Sequence, residues 1–463
     1  MDEILDSSLA EMASAISSRS MTSVALVRGF LDRIERKNPP LNALVYSTAE
    51  QAMQLAAKAD ADLQAGVLHG PLHGIPMTIK DSLDTKDAIT TWGTLGRKDF
   101  RPGRDATCVA RLRSAGGILM GKTNTPEFTL AFKTDNLVYG RTNNPYNLNL
   151  TPGGSSGGAA ALIAAGATPF DIGTDTGGSI RLPSHFCGIT GLKPTTGRVP
   201  CTGNALPTSG LLAALSQPGP MARQVADLGY LLDIIQGPDL FDPYSTDAQR
   251  YVMGAVDPSQ LRIGYHTDNG ISTPSAAIQA AIREALGLFE ANGQTVTDTR
   301  PPGVEMASFI YARLFGADGG DTLDLLLEDS HTEQPSPQIA SSQTQARPTI
   351  DQSEFNHALN LWDNYRSSML GYFADFDILI CPVNAHTALG HDETEDMLSY
   401  SYTLAYNLTG WPAVVIRCGT DPQGLPIGLQ IIARPFREDQ CLAVAAWLEA
   451  ALQQQHGRFS RPA

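Results

Sequence analysis

The sequence has no CxxC pair, no HExxH or comparable metal spacing, no cluster of lysines and arginines, and no apolar run near the roughly 20 residues a membrane span requires. Each absence removes a class of function. Six cysteines (Cys108, Cys187, Cys201, Cys381, Cys418, Cys441) lie scattered without disulfide-like spacing and read as reduced thiols. The histidines at His185, His266, His357, His386 and His391 stand alone, in contexts that suit structural or exposed side chains, so no metal is expected. Acidic residues (48) outnumber basic ones (33), a formal net charge of −15, which leaves no basic face for nucleic acid or an anionic membrane. The opening MDEILDSS lacks the basic and apolar regions of a signal peptide. These features together predict a cytoplasmic protein.

What is present is a loop-rich globular composition, 42% apolar with 43 Gly and 30 Pro in 463 residues, able to bury a large core. Length alone suggests about three domains, although single α/β units of this size occur. No internal repeat or linker-like break divides the chain. Ser8 with Glu11 forms a capping box, Val24, Val27, Phe30, Leu31 and Ile34 form one helical stripe that Pro39 and Pro40 should end, and Ser47 with Glu50 repeats the capping signal for a helix towards Leu63. Residues 1–66 thus read as a helical packing segment. Strands are predicted at Ile75–Ile79, ending at Lys80 and Asp81, and at Ile118–Met120, with a helix around Asp105–Ala115 and another opening at Pro126–Phe128. Further on come strands at Leu261–Tyr265, Thr295–Thr297, Ile378–Ile380 and Ala413–Ile416, a turn at Gly424 into GLPIGLQIIA, and helices over Ser275–Ala291 and Glu438–Ala451. The alternation predicts an α/β fold with a parallel or mixed sheet flanked by helices. The Ser-, Gln-, Pro- and Thr-rich run 328–352 reads as a solvated loop or lid.

Two motif matches fail on context. GGILMGKT at Gly116–Thr123 fits the phosphate-loop pattern, but Ile118, Leu119 and Met120 read as a buried strand, and Pro126 interrupts the helix that should begin at the lysine. GGSSG at Gly153–Gly157 fits the hydrolase nucleophile elbow, which would make Ser155 the nucleophile. The preceding NNPYNLNLTP is loop chemistry where an elbow needs a strand.

The organising stretch runs from Thr151 to Thr195. GGSSGG leads into a small-residue helix, Ala159–Ala165, stopped by Gly166; a short apolar strand then reaches GTDTGGS. A helix of about 10 residues rises roughly 15 Å and a strand of about 6 returns roughly 20 Å, so the geometry allows Ser155 and Ser179 to meet. Gly177 and Gly178 let successive N–H groups of Thr176, Gly177, Gly178 and Ser179 turn towards one point, a nest suited to an oxyanion. Ser179 then reads as a nucleophile. With no convincing histidine, Lys80 at its strand end is the candidate base, desolvation lowering its affinity for protons, and Ser155 is the candidate relay.

The run GGSSGGAAALIAAGATPFDIGTDTGGSIRLPS, continued by FCGITGLKPT, resembles the signature sequence of the amidase signature family, and the likeness extends to TSVALVRGFLDRIERKNPPLNA, GIPMTIKD, MGKTNTPEF and GLPIGLQIIARPF. By this resemblance Lys80 matches the family's base, Ser155 its cis-serine relay, Ser179 its acyl-enzyme nucleophile, and the backbone from Thr176 to Ser179 its oxyanion hole. The resemblance implies one amidase domain over residues 1–463 that needs no cofactor and hydrolyses a small-molecule amide to an acid and ammonia or an amine. A homodimer is compatible with it. The alternative it implies is the glutamine-hydrolysing component of a tRNA-dependent amidotransferase, the one case in which nucleic-acid contact is expected. Asp175, Arg181 and Ser156, all within the signature, are expected to brace the catalytic loop. Asp171 stands where the family commonly has a small residue; it is expected to alter local hydrogen bonding without touching Lys80, Ser155 or Ser179. The aromatics of Met306–Leu327 and Asp392–Trp411 are divided between core and pocket wall.

Overall fold

The computed structural model describes residues 2–207, 210–250, 254–344, 350–457 and 459–462. Eleven strands are present among them: β1 (Leu44–Ser47), β2 (Pro76–Lys80), β3 (Ile118–Thr123), β4 (Phe170–Asp175), β5 (Thr190–Lys193), β6 (Gln217–Ala222), β7 (Ile263–Tyr265), β8 (Val296–Asp298), β9 (Ile378–Pro382), β10 (Ala413–Thr420) and β11 (Pro426–Ala433). They form two sheets. Eight strands run in the order β4-β6-β5-β10-β11-β9-β7-β8, antiparallel except where β7 joins β9 and β8 in parallel. The other three run β1-β3-β2, with β3 antiparallel to β1 and parallel to β2. Helices pack around both sheets, which makes this the expected single α/β fold with a mixed sheet.

The sheets meet edge against edge. Strand β2 ends the small sheet and β4 ends the large one, and no ladder joins them. Side chains cross the seam instead. Thr78 Oγ1 donates to Asp171 Oδ2 at 2.7 Å, and Lys80 Nζ donates to Thr174 Oγ1 at 2.8 Å. Each sheet thereby covers an edge of the other with polar side chains.

The core explains this arrangement. Val27 and Phe30 from the Ser23–Leu41 helix pack with Ile79, Leu119, Leu162 and Phe170, all buried, so one apolar mass binds the small sheet to the large one. The Glu438–His456 helix buries Cys441, Val444, Leu448 and Leu452 in the same cluster. A second cluster, with Leu314, Trp362, Tyr365, Tyr406 and Trp411, packs with Leu379 and Ile432 of the large sheet. All six cysteines are free and buried.

Several local expectations are corrected. Pro39 and Pro40 do not end their helix, which continues to Leu41 with Asn42 left-handed at its C-cap. They sit in the last turn, where lost N–H bonds expose few carbonyls, while Asn38 Oδ1 accepts from the N–H groups of Ala43 and Leu44 and fixes the exit. The Ser8–Glu11 capping box is formed, but the Ser47–Glu50 one is not: Ser47 closes β1, a strand in the segment read as helical, and the next helix is Ala49–Gln64. Pro126 opens only the 3-10 turn Glu127–Thr129, because Phe128 and Thr129 have φ of 51° and 64°.

The polar run 328–352 is not a bare loop. It includes the end of the Asp321–Asp329 helix and the Pro337–Thr344 helix, with 345–349 outside the described residues. Ile339 is buried with Phe128, Leu206, Leu326 and Leu327, and Ser336 N–H donates to Glu127 Oε2 at 2.6 Å. One apolar residue and buried backbone bonds anchor a segment whose composition is otherwise that of solvent-facing chain.

Candidate active site

The small-residue run after Ser156 forms the Gly157–Ala164 helix, buried along its whole length, and Gly166 (φ 71°) turns the chain towards β4. Larger side chains would not fit. A Cβ at Gly158 would lie 2.3 Å from Asn124 N, and one at Gly154 would lie 2.8 Å from Ala131 O. The glycines therefore let the serine loop sink between β3 and the 131–133 segment.

Lys80 reaches this loop from the end of β2. Its side-chain nitrogen is fully buried and lies 2.6 Å from Ser155 Oγ, 2.8 Å from Thr174 Oγ1 and 3.0 Å from Ser156 Oγ. All three partners are neutral hydroxyls. Burial pushes the lysine well below its ordinary range, opposed by the negative charges of Asp175 and Asp171. Ser156 Oγ also donates to Thr174 O and accepts from Thr174 N–H, both at 3.3 Å, so the lysine sits in a closed polar shell. Gly173 makes room for it, since a Cβ there would lie 2.8 Å from Ser156 Oγ.

Ser179 lies beside this group. Ser156 N–H donates to Ser179 O at 3.1 Å, locking the two serine-bearing loops together. The Ser179 side chain is 5% exposed and makes no hydrogen bond among the described residues, and no direct bond joins it to Ser155 Oγ. Of the four N–H groups expected to face an oxyanion, that of Gly178 instead donates to Asp175 Oδ1 at 2.9 Å. Those of Thr176, Gly177 and Ser179 have no partner among the described residues.

Asp175 and Arg181 form a buried pair beneath the loop. Both are fully buried, joined by Nε to Oδ2 at 3.0 Å and Nη2 to Oδ1 at 2.9 Å, and Asp175 Oδ2 also accepts from Ile180 N–H at 3.1 Å. Burial alone would raise this carboxyl, but Arg181, Lys193 and Asn407 hold it well below the usual carboxylate range. The guanidinium goes on to Thr403 O, Gln430 Oε1 and Asn407 Oδ1. Sequence reading missed Thr174, Thr403, Asn407 and Gln430. The available signal was a lone polar residue in an apolar run, as Gln430 is within PIGLQIIA.

Apolar groups line the approach to Gly177, where a Cβ would meet Leu404 Cδ2 at 3.1 Å, Tyr311 Oη at 3.2 Å and Phe132 Cζ at 3.4 Å. Phe132 stacks on Tyr400 with ring centroids 3.7 Å apart. Of the aromatics in the two candidate wall segments, Tyr400, Tyr402, Tyr406 and Trp411 are buried, Phe309 and Phe315 are exposed, and the partly buried Tyr311 packs with Tyr400 in this cluster. A separate cavity of about 270 Å³ lies between the 126–137 segment and the start of the Pro337–Thr344 helix. Among the described residues no group of His, Cys, Asp or Glu could hold a metal ion, and no helix is long and apolar enough to cross a membrane.

Known proteins share this architecture from end to end. The family model described as Amidase matches residues 25–442. The chain is 34% identical over 470 residues to an acylamidase of Rhodococcus erythropolis, covering 96% of this chain and 95% of that one. It is equally 34% identical, over 483 residues and 96% of both chains, to one of the subunits of the glutamyl-tRNA(Gln) amidotransferase of Chloroflexus aurantiacus. Among solved structures it is similar to 6-aminohexanoate cyclic dimer hydrolase (TM-score 0.88, 27% identity, 99% of both chains). A bacterial aryl acylamidase of the amidase signature family is similar too (TM-score 0.84, 26% identity, 98% of this chain and 96% of that one). A serine loop folded around a buried lysine, in a chain matched along nearly its whole length, places this protein in the amidase signature family of hydrolases acting on carbon–nitrogen bonds other than peptide bonds.

Proposed function

We propose that the protein hydrolyses a small carboxylic amide through an acyl-enzyme on Ser179, with Ser155 and Lys80 relaying the proton. The observation that carries this reading is Lys80 itself: a fully buried lysine whose polar contacts are three hydroxyls, held below its ordinary range by burial. In the neutral form its lone pair accepts from Ser155 O–H while its two N–H groups serve Ser156 and Thr174. Ser155 then takes the proton of Ser179 as Ser179 Oγ adds to the carbonyl carbon. Thr176, Gly177 and Ser179 N–H groups stabilise the oxyanion, each contributing up to about 3 kcal/mol. The proton returns through Ser155 to the leaving nitrogen as the C–N bond breaks. Water hydrolyses the resulting ester.

Glutamine hydrolysis within an amidotransferase is the second reading, supported by the identity to the glutamyl-tRNA(Gln) amidotransferase relative. The wall of Phe132, Tyr311, Leu404 and Tyr400 favours a substrate with an apolar acyl group over a zwitterionic amino acid. An amide panel including glutamine decides between them. Wild type should cleave apolar amides without added subunits, and Ser179→Ala and Lys80→Ala should each lose about 10³-fold or more in kcat/KM. Retention of activity by Ser179→Ala overturns the nucleophile assignment, and glutaminase activity that appears only with partner subunits overturns the first reading.

A further inference from the structure

Asp171 is fully buried on β4, one strand away from the base. Its Oδ2 accepts from Thr78 Oγ1 at 2.7 Å and Thr123 Oγ1 at 3.0 Å, while Oδ1 has no hydrogen-bond partner. Thr78 and Lys80 alternate on β2, so both project across the seam towards β4. A buried carboxyl served by two hydroxyls and the Lys80 backbone N–H, with no ion pair, is costly unless something uses its charge.

We propose that Asp171 is a positioning residue for Lys80, its unpaired negative charge across the seam setting the pH at which the lysine becomes a competent base. This rests on the assignment of Lys80 as the base. The charges facing the lysine come from few places. Strand β4 supplies Asp175 and Asp171, and β3 supplies Lys122, which is turned to Leu83 O, Thr85 and Thr90 and neighbours Asp81. The Gly157–Ala164 helix has no ionisable side chain, and the Ser23–Leu41 helix buries Leu26, Val27, Phe30 and Ile34. Asp175 acts on Lys80 more strongly than Asp171, but Arg181 neutralises it and the oxyanion loop hangs from it. Asp171 has no ion pair, only the more distant charge of Lys122, and braces no loop.

The sign follows directly. Burial pushes Asp171 up to about 6, so above that pH it is an anion that favours the protonated lysine. Removing the charge must make Lys80 easier to deprotonate and carry activity to lower pH. The test is the pH profile of kcat/KM for wild type, Asp171→Asn and Asp171→Ser, with far-UV circular dichroism and melting to verify folding. At the pH where wild type keeps about a tenth of its plateau, both variants should retain about threefold more of theirs. An acid limb that stays in place or moves up in the folded variants overturns the proposal, as does a shift seen in only one of them, which would indicate packing. Lys80→Ala separates the two questions: if it is inactive while Asp171→Asn leaves the limb unmoved, this inference fails and the base assignment stands; if it is active, the base assignment fails.

Discussion

Gly178 shows how little freedom single positions have here. Its φ is 130°, and a Cβ would lie 2.5 Å from Thr403 Oγ1, which itself donates to Gly177 O at 2.7 Å. Alanine must therefore both strain the backbone and displace the threonine that fixes the neighbouring carbonyl. Gly178→Ala is expected to cost about 2–4 kcal/mol in urea unfolding and to lower kcat more than it raises KM, since the damage falls on the loop proposed to hold the oxyanion. The serines and glycines of this loop were legible in sequence because their chemistry is local: small residues, positive φ and hydroxyls recur within a few positions. Thr78 and Thr123 were not legible. A threonine in a strand reads as an ordinary β-branched residue until a buried carboxylate is seen between the two hydroxyls.

The seven-residue helix Arg181–Cys187 owes its entry to Asp175, whose carboxylate accepts from the N–H groups of Gly178 and Ile180 and from Arg181. Replacing the arginine leaves a buried, unpaired acid. Arg181→Leu should cost about 3–5 kcal/mol, and Arg181→Lys should rescue little, because one ammonium cannot reach Thr403 O, Gln430 and Asn407 while holding both carboxylate oxygens. Asp175 is held below its unfolded value of 3.8, so its contribution is present above that pH and lost as pH falls through the folded value. In Arg181→Leu burial acts unopposed by the guanidinium, and acid unfolding followed by circular dichroism should begin at higher pH. The strand–helix alternation that predicted the fold class came from hydrophobic period, which reports burial but not pairing partners. That is why the division into two sheets, and β1 inside a segment read as helical, emerged only from the structure.

Across the whole molecule, Lys80 works against stability. Burial lowers its proton affinity in the folded state, whereas unfolded it carries a proton up to about 10.4, so the unfolded chain binds more protons and stability due to this group rises with pH. Lys80→Met lacks that dependence. The difference in melting temperature, wild type minus variant, should increase from pH 7 towards pH 10, and a flat difference would mean that the lysine is protonated in the folded protein. The seam between β2 and β4 gives this trade a further consequence. The two facing strand edges, both buried, are bridged by Thr78 to Asp171 and Lys80 to Thr174 rather than by a ladder, so opening the seam would expose unpaired backbone on each. The contacts around the proposed base thus also keep two strand edges covered, so a variant that loosens the lysine's surroundings should lose solubility on mild heating along with turnover.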